Sequence, residues 1–354
     1  MKPKQLLQAG LLTLLTIGIT GCDSSPEEEE YAQPEFKTKR IATFEPITEE
    51  LPIALVRDMD VYGPYLVVVG YLDNQMVHIY DKWNGELRGS AVRLGRAANE
   101  ILHTDCVTLD PQTGTLRVYD FQNRKRLSMQ IDSLLAQGPA VIESQPYELA
   151  GAAGRAAIPL HGKELVINNK APKYAGTEMI NRFVLYDNQG RQLATADNFP
   201  IEDPDLRFKV YNEAYYTVSP DRKRFAIATI FGALLETYSV KNGIEQIAVG
   251  RFARPDLDSR KELVGFSDLY ATDRKIYTAY DGVHNLQKLI ESGERPLQYY
   301  KVCVFDWKGR PLEQITTDRN ICKMCIDEGR ILYAAIFDEL NRFYLAKIDL
   351  GEKS

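Results

Sequence analysis

Short apolar runs alternate with tight polar turns along almost the whole chain. Six runs stand out: Leu66-Val67-Val68-Val69, Leu116-Arg117-Val118-Tyr119, Glu164-Leu165-Val166-Ile167, Arg224-Phe225-Ala226-Ile227, Lys275-Ile276-Tyr277-Thr278 and Ile331-Leu332-Tyr333-Ala334. Each follows a turn, at Gly63-Pro64, 111–114, His161-Gly162, 221–223, Asp273-Arg274 and Glu328-Gly329. Short, nearly continuous apolar runs bounded by turn residues predict strands buried on both faces. A second phrase follows some of them: Val77-His78-Ile79-Tyr80-Asp81 with Gly85, Phe183-Val184-Leu185-Tyr186-Asp187 with Gly190, and Val302-Cys303-Val304-Phe305-Asp306 with Gly309. Leu235-Glu236-Thr237-Tyr238-Ser239 with Gly243 is the same phrase with Ser for Asp. It reads as a strand ending in Asp, then a turn in which Gly supplies a positive φ.

Measured on Gly63, Gln112, Gly162, Arg222, Asp273 and Glu328, the units are 49, 50, 60, 51 and 55 residues apart. Units of this length with about four strands each predict an all-β chain folded as a six-bladed β-propeller. In the first unit, strands a to d fall at 56–61, 65–70, 76–81 and 86–94. The last unit offers three strands, at 322–327, 331–336 and 343–349. Residues 39–47 have no unit of their own, and are expected to supply the outer strand of the sixth blade, closing the ring without an open seam. Two loops between strands b and c, 168–181 and 282–299, are longer than a hairpin requires. They would be either tolerated insertions or the edge of a binding face.

The start of the chain changes the picture from fold to address. Lys2 and Lys4 precede an apolar run over 6–19, closed by Ile19-Thr20-Gly21-Cys22. A basic start, a short apolar stretch and small residues at the cut describe a secretory signal, too short for a comfortable membrane span. The Cys after small residues resembles the lipobox of bacterial lipoproteins, in which the thiol of the first mature residue carries the lipid; the alternative is a plain signal with a chance Cys. On the lipoprotein reading, residues 1–21 are a signal peptide, 22–38 an acidic flexible tether, 39–350 the propeller and 351–354 a tail. Cys22 is then the lipidation site and the membrane is a partner through it. Several acyl chains anchor stably where a single one does not. The run Glu27 to Glu30 is a solvated spacer or an acidic sorting signal. Loss of Lys2 and Lys4 takes the net charge from −6 to −8. That balance excludes nucleic acid as a partner, because its binding depends on cationic neutralisation of phosphate. A monomer in the bacterial envelope is expected, at the outer membrane, with an envelope protein or a glycan as its ligand.

The lipobox, the acidic tether, the six b strands and the Tyr-Asp…Gly phrases together resemble the TolB-like six-bladed propellers found among bacterial lipoproteins. Such propellers often carry a Gly-x-Gly-Pro-x-Glu turn between blades; Gly95-Arg96-Ala97-Ala98-Asn99-Glu100 matches it in part, with Ala in place of the second Gly and of the Pro. The resemblance implies architecture and location, not a reaction.

Candidate chemistry is sparse. The stretch 265–269 around Ser267 lacks the second Gly of a serine-hydrolase elbow. Asp203 with Asp205, and Asp256 with Asp258, lack the remainder of a calcium-binding loop and read as turn residues beside Pro. Cys322 and Cys325 have zinc-like spacing but no second pair, and strand alternation places them on opposite faces. With Cys106 and Cys303 they are expected to be buried small residues, or to form one or two disulfides in an exported protein. Tyr211, Tyr215, Tyr216, Tyr299 and Tyr300 fall near blade entrances, as packing residues or a stacking surface. Along the innermost strands, Asp58, Asp105, Arg155, Tyr216, Asp268 and Lys323 occupy comparable positions and are the candidates for a ligand site at the channel mouth. No cofactor is expected, although Asp58, Asp105 and Asp268 keep calcium open, since the ion takes six to eight oxygens. Two cations among the six positions argue against a dense carboxylate cage. The function expected is a non-catalytic ligand- or protein-binding module. The alternative is a calcium-dependent hydrolase of the lactonase or arylesterase kind.

Overall fold

The computed structural model describes residues 31–149, 154–168, 181–256, 263–285, 287, 291, 299–338, 340 and 342–351. Six sheets stand in a ring as the blades of a propeller. Blade 1 holds strands a to d at Val56–Tyr62, Tyr65–Leu72, Gln75–Asp81 and Leu87–Leu94. Blade 2 holds Cys106–Asp110, Thr115–Asp120, Lys125–Gln130 and Glu143–Pro146. Blade 3 holds Gly154–Leu160, Lys163–Asn168, Phe183–Asp187 and Gln192–Ala196. Blade 4 holds Ala214–Val218, Arg224–Thr229, Leu234–Val240 and Ile244–Arg251. Blade 5 holds Leu263–Ala271, Lys275–Asn285, Lys301–Asp306 and Pro311–Thr317. Blade 6 holds Asn320–Asp327, Ile331–Phe337 and Phe343–Asp349.

The apolar runs are explained by what they touch. Leu66, Val67, Val68 and Val69 alternate across the blade, yet all are at most 2 % exposed. Val67 faces Leu109, Leu116 and Val118 of blade 2, whereas Leu66 and Val68 face Cys325, Tyr333 and Leu345 of blade 6. A middle strand is packed on both faces, so each apolar side chain gains the full stabilisation of burial, about 1.5–3 kcal/mol. The Asp…Gly phrase also has a cause. Asp187 accepts from the amides of Gln189 and Arg191, and Asp306 from those of Lys308 and Arg310. Gly190 and Gly309 take the positive φ of these turns, 74° and 73°.

The N-terminal segment supplies the outer strand of blade 6 as expected, but only the end of 39–47 does so. Glu45–Pro46 pairs with the third strand of blade 6, antiparallel, the Ile47 amide donates to Leu345 O at 2.7 Å, and a bridge from Leu51 to Phe343 follows. Thr38–Ala42 instead lies parallel to the outer strand of blade 5, Thr38 opposite Glu313 and Ala42 opposite Thr317. The split follows from side-chain burial: Phe44 sits between blades 5 and 6 among Val304, Ile315 and Ile321, and pins the turn between the two short strands. The described part of the expected tether is docked. The Ala32 amide donates to Arg251 O, the Gln33 side chain donates to Phe252 O, and Phe36 packs edge-on against Phe305 at 5.4 Å. Cys22 lies outside the described residues, as do most of the two long b–c loops; of the second, 282–285 continue strand b of blade 5.

Two helices were not read from the sequence. Ile131–Gln137 follows strand c of blade 2 and buries Ile131 and Leu134. Pro204–Asn212 joins blades 3 and 4. Asp203, expected as a plain turn residue, is its N-cap, accepting from the amides of Asp205 and Leu206, with Pro204 at the first helical position.

Candidate functional site

The six innermost strands line the central channel, which holds a cavity of about 340 Å³. An innermost strand has no neighbour on its channel side, so its residues can be polar without loss of packing. All six sequence candidates, Asp58, Asp105, Arg155, Tyr216, Asp268 and Lys323, lie on this one cavity wall. The structure adds Arg57, Asp60, Tyr215, Arg222 and Tyr270, which sequence reading did not place there.

A backbone device explains part of the addition. In four blades the innermost strand skips a residue in its pairing with strand b: at Arg57 in blade 1, Arg155 in blade 3, Ser267 in blade 5 and Cys322 in blade 6. Blades 2 and 4 pair without a skip. A bulge breaks the period-two alternation and re-aims a side chain. Arg57 and Asp58, neighbours in sequence, therefore both line the cavity. The same device corrects the expectation for Cys322 and Cys325: both pack into the cluster between blades 6 and 1, with Val56 and Met59. Among the described residues neither forms a disulfide, nor do Cys106 and Cys303. Burial pushes the Cys106 thiol up to about 12 and the Cys322 thiol up to about 11, so neither is a thiolate at neutral pH.

The two ends of the channel differ. At the a–b turns, contacts cross the channel. Arg222, in the turn of blade 4 with φ 55°, donates to Leu109 O of blade 2 at 2.8 Å and to Pro159 O of blade 3 at 3.2 Å. The Tyr270 hydroxyl of blade 5 donates to Asp60 of blade 1 at 3.0 Å. These links floor the cavity. Toward the starts of the strands the charges are mixed. Lys323 donates to Asp268 at 3.0 Å and lies 4.0 Å from the centre of the Tyr215 ring; the Met324 amide donates to the other Asp268 oxygen at 2.7 Å. Burial opposes the Lys323 charge, but Asp268 and Tyr215 outweigh it and hold the ammonium above its ordinary value. Asp105 accepts from the Phe121 amide at 2.7 Å, and the Tyr216 hydroxyl donates to Tyr211 O at 3.4 Å. Tyr211 and Tyr299 are buried packing residues, not an exposed stacking surface. Both oxygens of Asp268 are engaged, by Lys323 and by the Met324 amide, which counts against a calcium cage at this wall. Among the described residues no three acidic, His or Cys side chains converge on one point.

Asp58 is open to the cavity but walled by protein. That burial raises its pKa from 3.8 to about 7; Lys323 opposes the rise, while Asp268 and Asp60 add to it. Asp60 rises to about 6, from burial against the pull of the Val61 amide and Tyr270. Between about pH 4 and pH 7 the folded chain then holds protons the unfolded chain has released, so these groups lower stability as pH rises through that window. Asp58→Asn is accordingly expected to raise the melting temperature more at pH 8 than at pH 4.5. An equal change at both values in thermal unfolding scans would contradict the assignment.

A family model described as TolB-like 6-blade propeller-like matches residues 86–329. The chain belongs to that family. No curated protein matches the sequence. Among solved structures, a Bacteroides fragilis protein described as exported superposes with a TM-score of 0.56 at 11 % identity, over 89 % of this chain and 99 % of its own. A member of the DUF4221 family from Bacteroides vulgatus gives 0.54 at 12 % identity, over 90 % of this chain and 99 % of its own. At such identities these likenesses speak for the TolB-like propeller fold alone.

Proposed function

We propose that this TolB-like propeller is a lipid-anchored protein of the bacterial envelope, held at the outer membrane by Cys22, that binds a small polar ligand at the mouth of its central channel and catalyses no reaction. The observation that carries the binding reading is the asymmetry of the channel: one end is floored by Arg222 and the Tyr270–Asp60 link, while the other is rimmed by charged side chains facing open space. The buried thiols, the engaged Asp105 and Asp268, and the broken serine motif favour binding over turnover. Export is supported by the basic, apolar and lipobox-like start of the chain.

In cells fed a palmitate analogue, the full chain is expected to carry the label and Cys22→Ser to lose it. The detergent-extracted protein is then titrated by calorimetry with neutral sugars, amino sugars, sugar acids, amino acids and short peptides. Saturable binding of at least one class, without product formation, is expected. Turnover of any member, or silence from the whole panel, would overthrow the reading.

A further inference from the structure

The charges around the cavity are not equally engaged. Each of the four carboxylates has a protein donor: Asp268 has Lys323 and the Met324 amide, Asp105 the Phe121 amide, Asp60 the Val61 amide and Tyr270, and Asp58 the Met59 amide. Two of the four cations are likewise engaged, Lys323 by Asp268 and Arg222 by the carbonyls of Leu109 and Pro159. Among the described residues, the side chains of Arg57 and Arg155 have no hydrogen-bond or ion-pair partner. Both are the extra residue of a β-bulge in an innermost strand, and both line the cavity. A guanidinium carries five N–H donors in a planar fork that matches a carboxylate. The unengaged charge at the mouth is thus positive, although the cavity as a whole is balanced.

We propose that the channel mouth selects small molecules bearing a carboxylate, with Arg155 as the principal partner of that group and Arg57 as a second cation on the rim. This rests on the channel-binding reading above. Arg155 is half-buried and Arg57 exposed. Attraction is stronger where water is partly excluded, so Arg155 carries more of the affinity. Arg57 contributes a field that salt screens.

The test compares probes that share one ring and differ in charge: glucuronate, glucose and glucosamine, with lactate and glutamate as acids of other shape. The full chain in detergent is titrated by calorimetry at two salt concentrations, as wild type and as Arg155→Gln. An acid is expected to bind at least tenfold more tightly than glucose, more weakly at high salt. Arg155→Gln should weaken it about 10- to 100-fold, the loss of a charge-assisted hydrogen bond or two. Because the Arg155 side chain has no partner among the described residues, the melting temperature of the variant should be unchanged, which separates lost binding from lost folding. Glucose or glucosamine binding as tightly as every acid would overturn the carboxylate assignment and leave the channel reading standing. Acid binding indifferent to Arg155→Gln would do the same. Silence from all five probes would overturn the carboxylate assignment, and the channel reading falls with it only if the wider panel above is silent too.

Discussion

Arg182→Ala is expected to destabilise the protein by about 3–5 kcal/mol, the cost of leaving a buried charge without its partner. Arg182 and Glu236 are both fully buried between blades 3 and 4. The guanidinium donates to both Glu236 oxygens, at 2.8 and 2.9 Å, to Asn198 O at 2.8 Å and to the Tyr238 hydroxyl at 3.2 Å. It lies 4.2 Å from the centre of the Tyr211 ring, 4.5 Å from that of Phe199 and 4.7 Å from that of Phe183. The Tyr238 hydroxyl also donates to Glu236. Ala removes the cation, opens a cavity inside this aromatic cage and leaves Glu236 to ionise alone or take up a proton. With total stabilities of about 5–15 kcal/mol, such a loss is a large fraction of the whole. Urea unfolding of Arg182→Ala beside the double replacement Arg182→Met with Glu236→Leu separates charge from packing. The double variant should recover most of the loss, because no charge is then stranded. A single variant within 1 kcal/mol of wild type would show that the pair contributes little.

Phe44→Ala should cost about 3–5 kcal/mol, the usual penalty for emptying a buried aromatic site. Phe44 is 4 % exposed, and its amide donates to Asp318 at 2.9 Å. It is the pin between Thr38–Ala42 on blade 5 and Glu45–Pro46 on blade 6, so its loss also loosens the closure of the ring. Ile41, three residues earlier in the same segment, is 83 % exposed and serves as the control; Ile41→Ala should stay within about 0.5 kcal/mol. Equal denaturation midpoints for the two variants would mean that the segment does not hold the ring shut.

The contrast between Phe44 and Ile41 illustrates why part of the fold was legible in the sequence and part was not. The strands Tyr65–Leu72, Thr115–Asp120 and Ile331–Phe337 announce themselves because burial on both faces forces apolar residues in succession. The Asp187 and Asp306 turns do so because a carboxylate must cap the amides and a Gly must take the positive φ. Segment 39–47 carries no such signal. A two-residue strand has too few positions to show a period, and the blade it joins is chosen by where one Phe finds a cavity.

The candidate site shows the same division. Asp58, Asp105, Arg155, Tyr216, Asp268 and Lys323 could be gathered from their distance to the a–b turns, because a repeat brings equivalent positions to one level of the channel. Arg57 could not: regular alternation puts it on the opposite side from Asp58, and only the bulge brings both to the cavity. Cys322 and Cys325 were misplaced for the same reason. Arg222 stood in plain view in its turn, but nothing local says that a turn side chain crosses to blade 2.

The sequence by itself determined the all-β propeller, its six repeats and six of the residues that line the channel, because each follows from local burial and turn geometry repeated at a fixed spacing. Only the tertiary structure decided which charges are engaged, which part of 39–47 joins blade 6 and which joins blade 5, and which end of the channel is floored. Those depend on bulges and on contacts between blades far apart in the chain, such as Tyr270 with Asp60 and Arg222 with Leu109, and no local pattern encodes which distant backbone a side chain will meet.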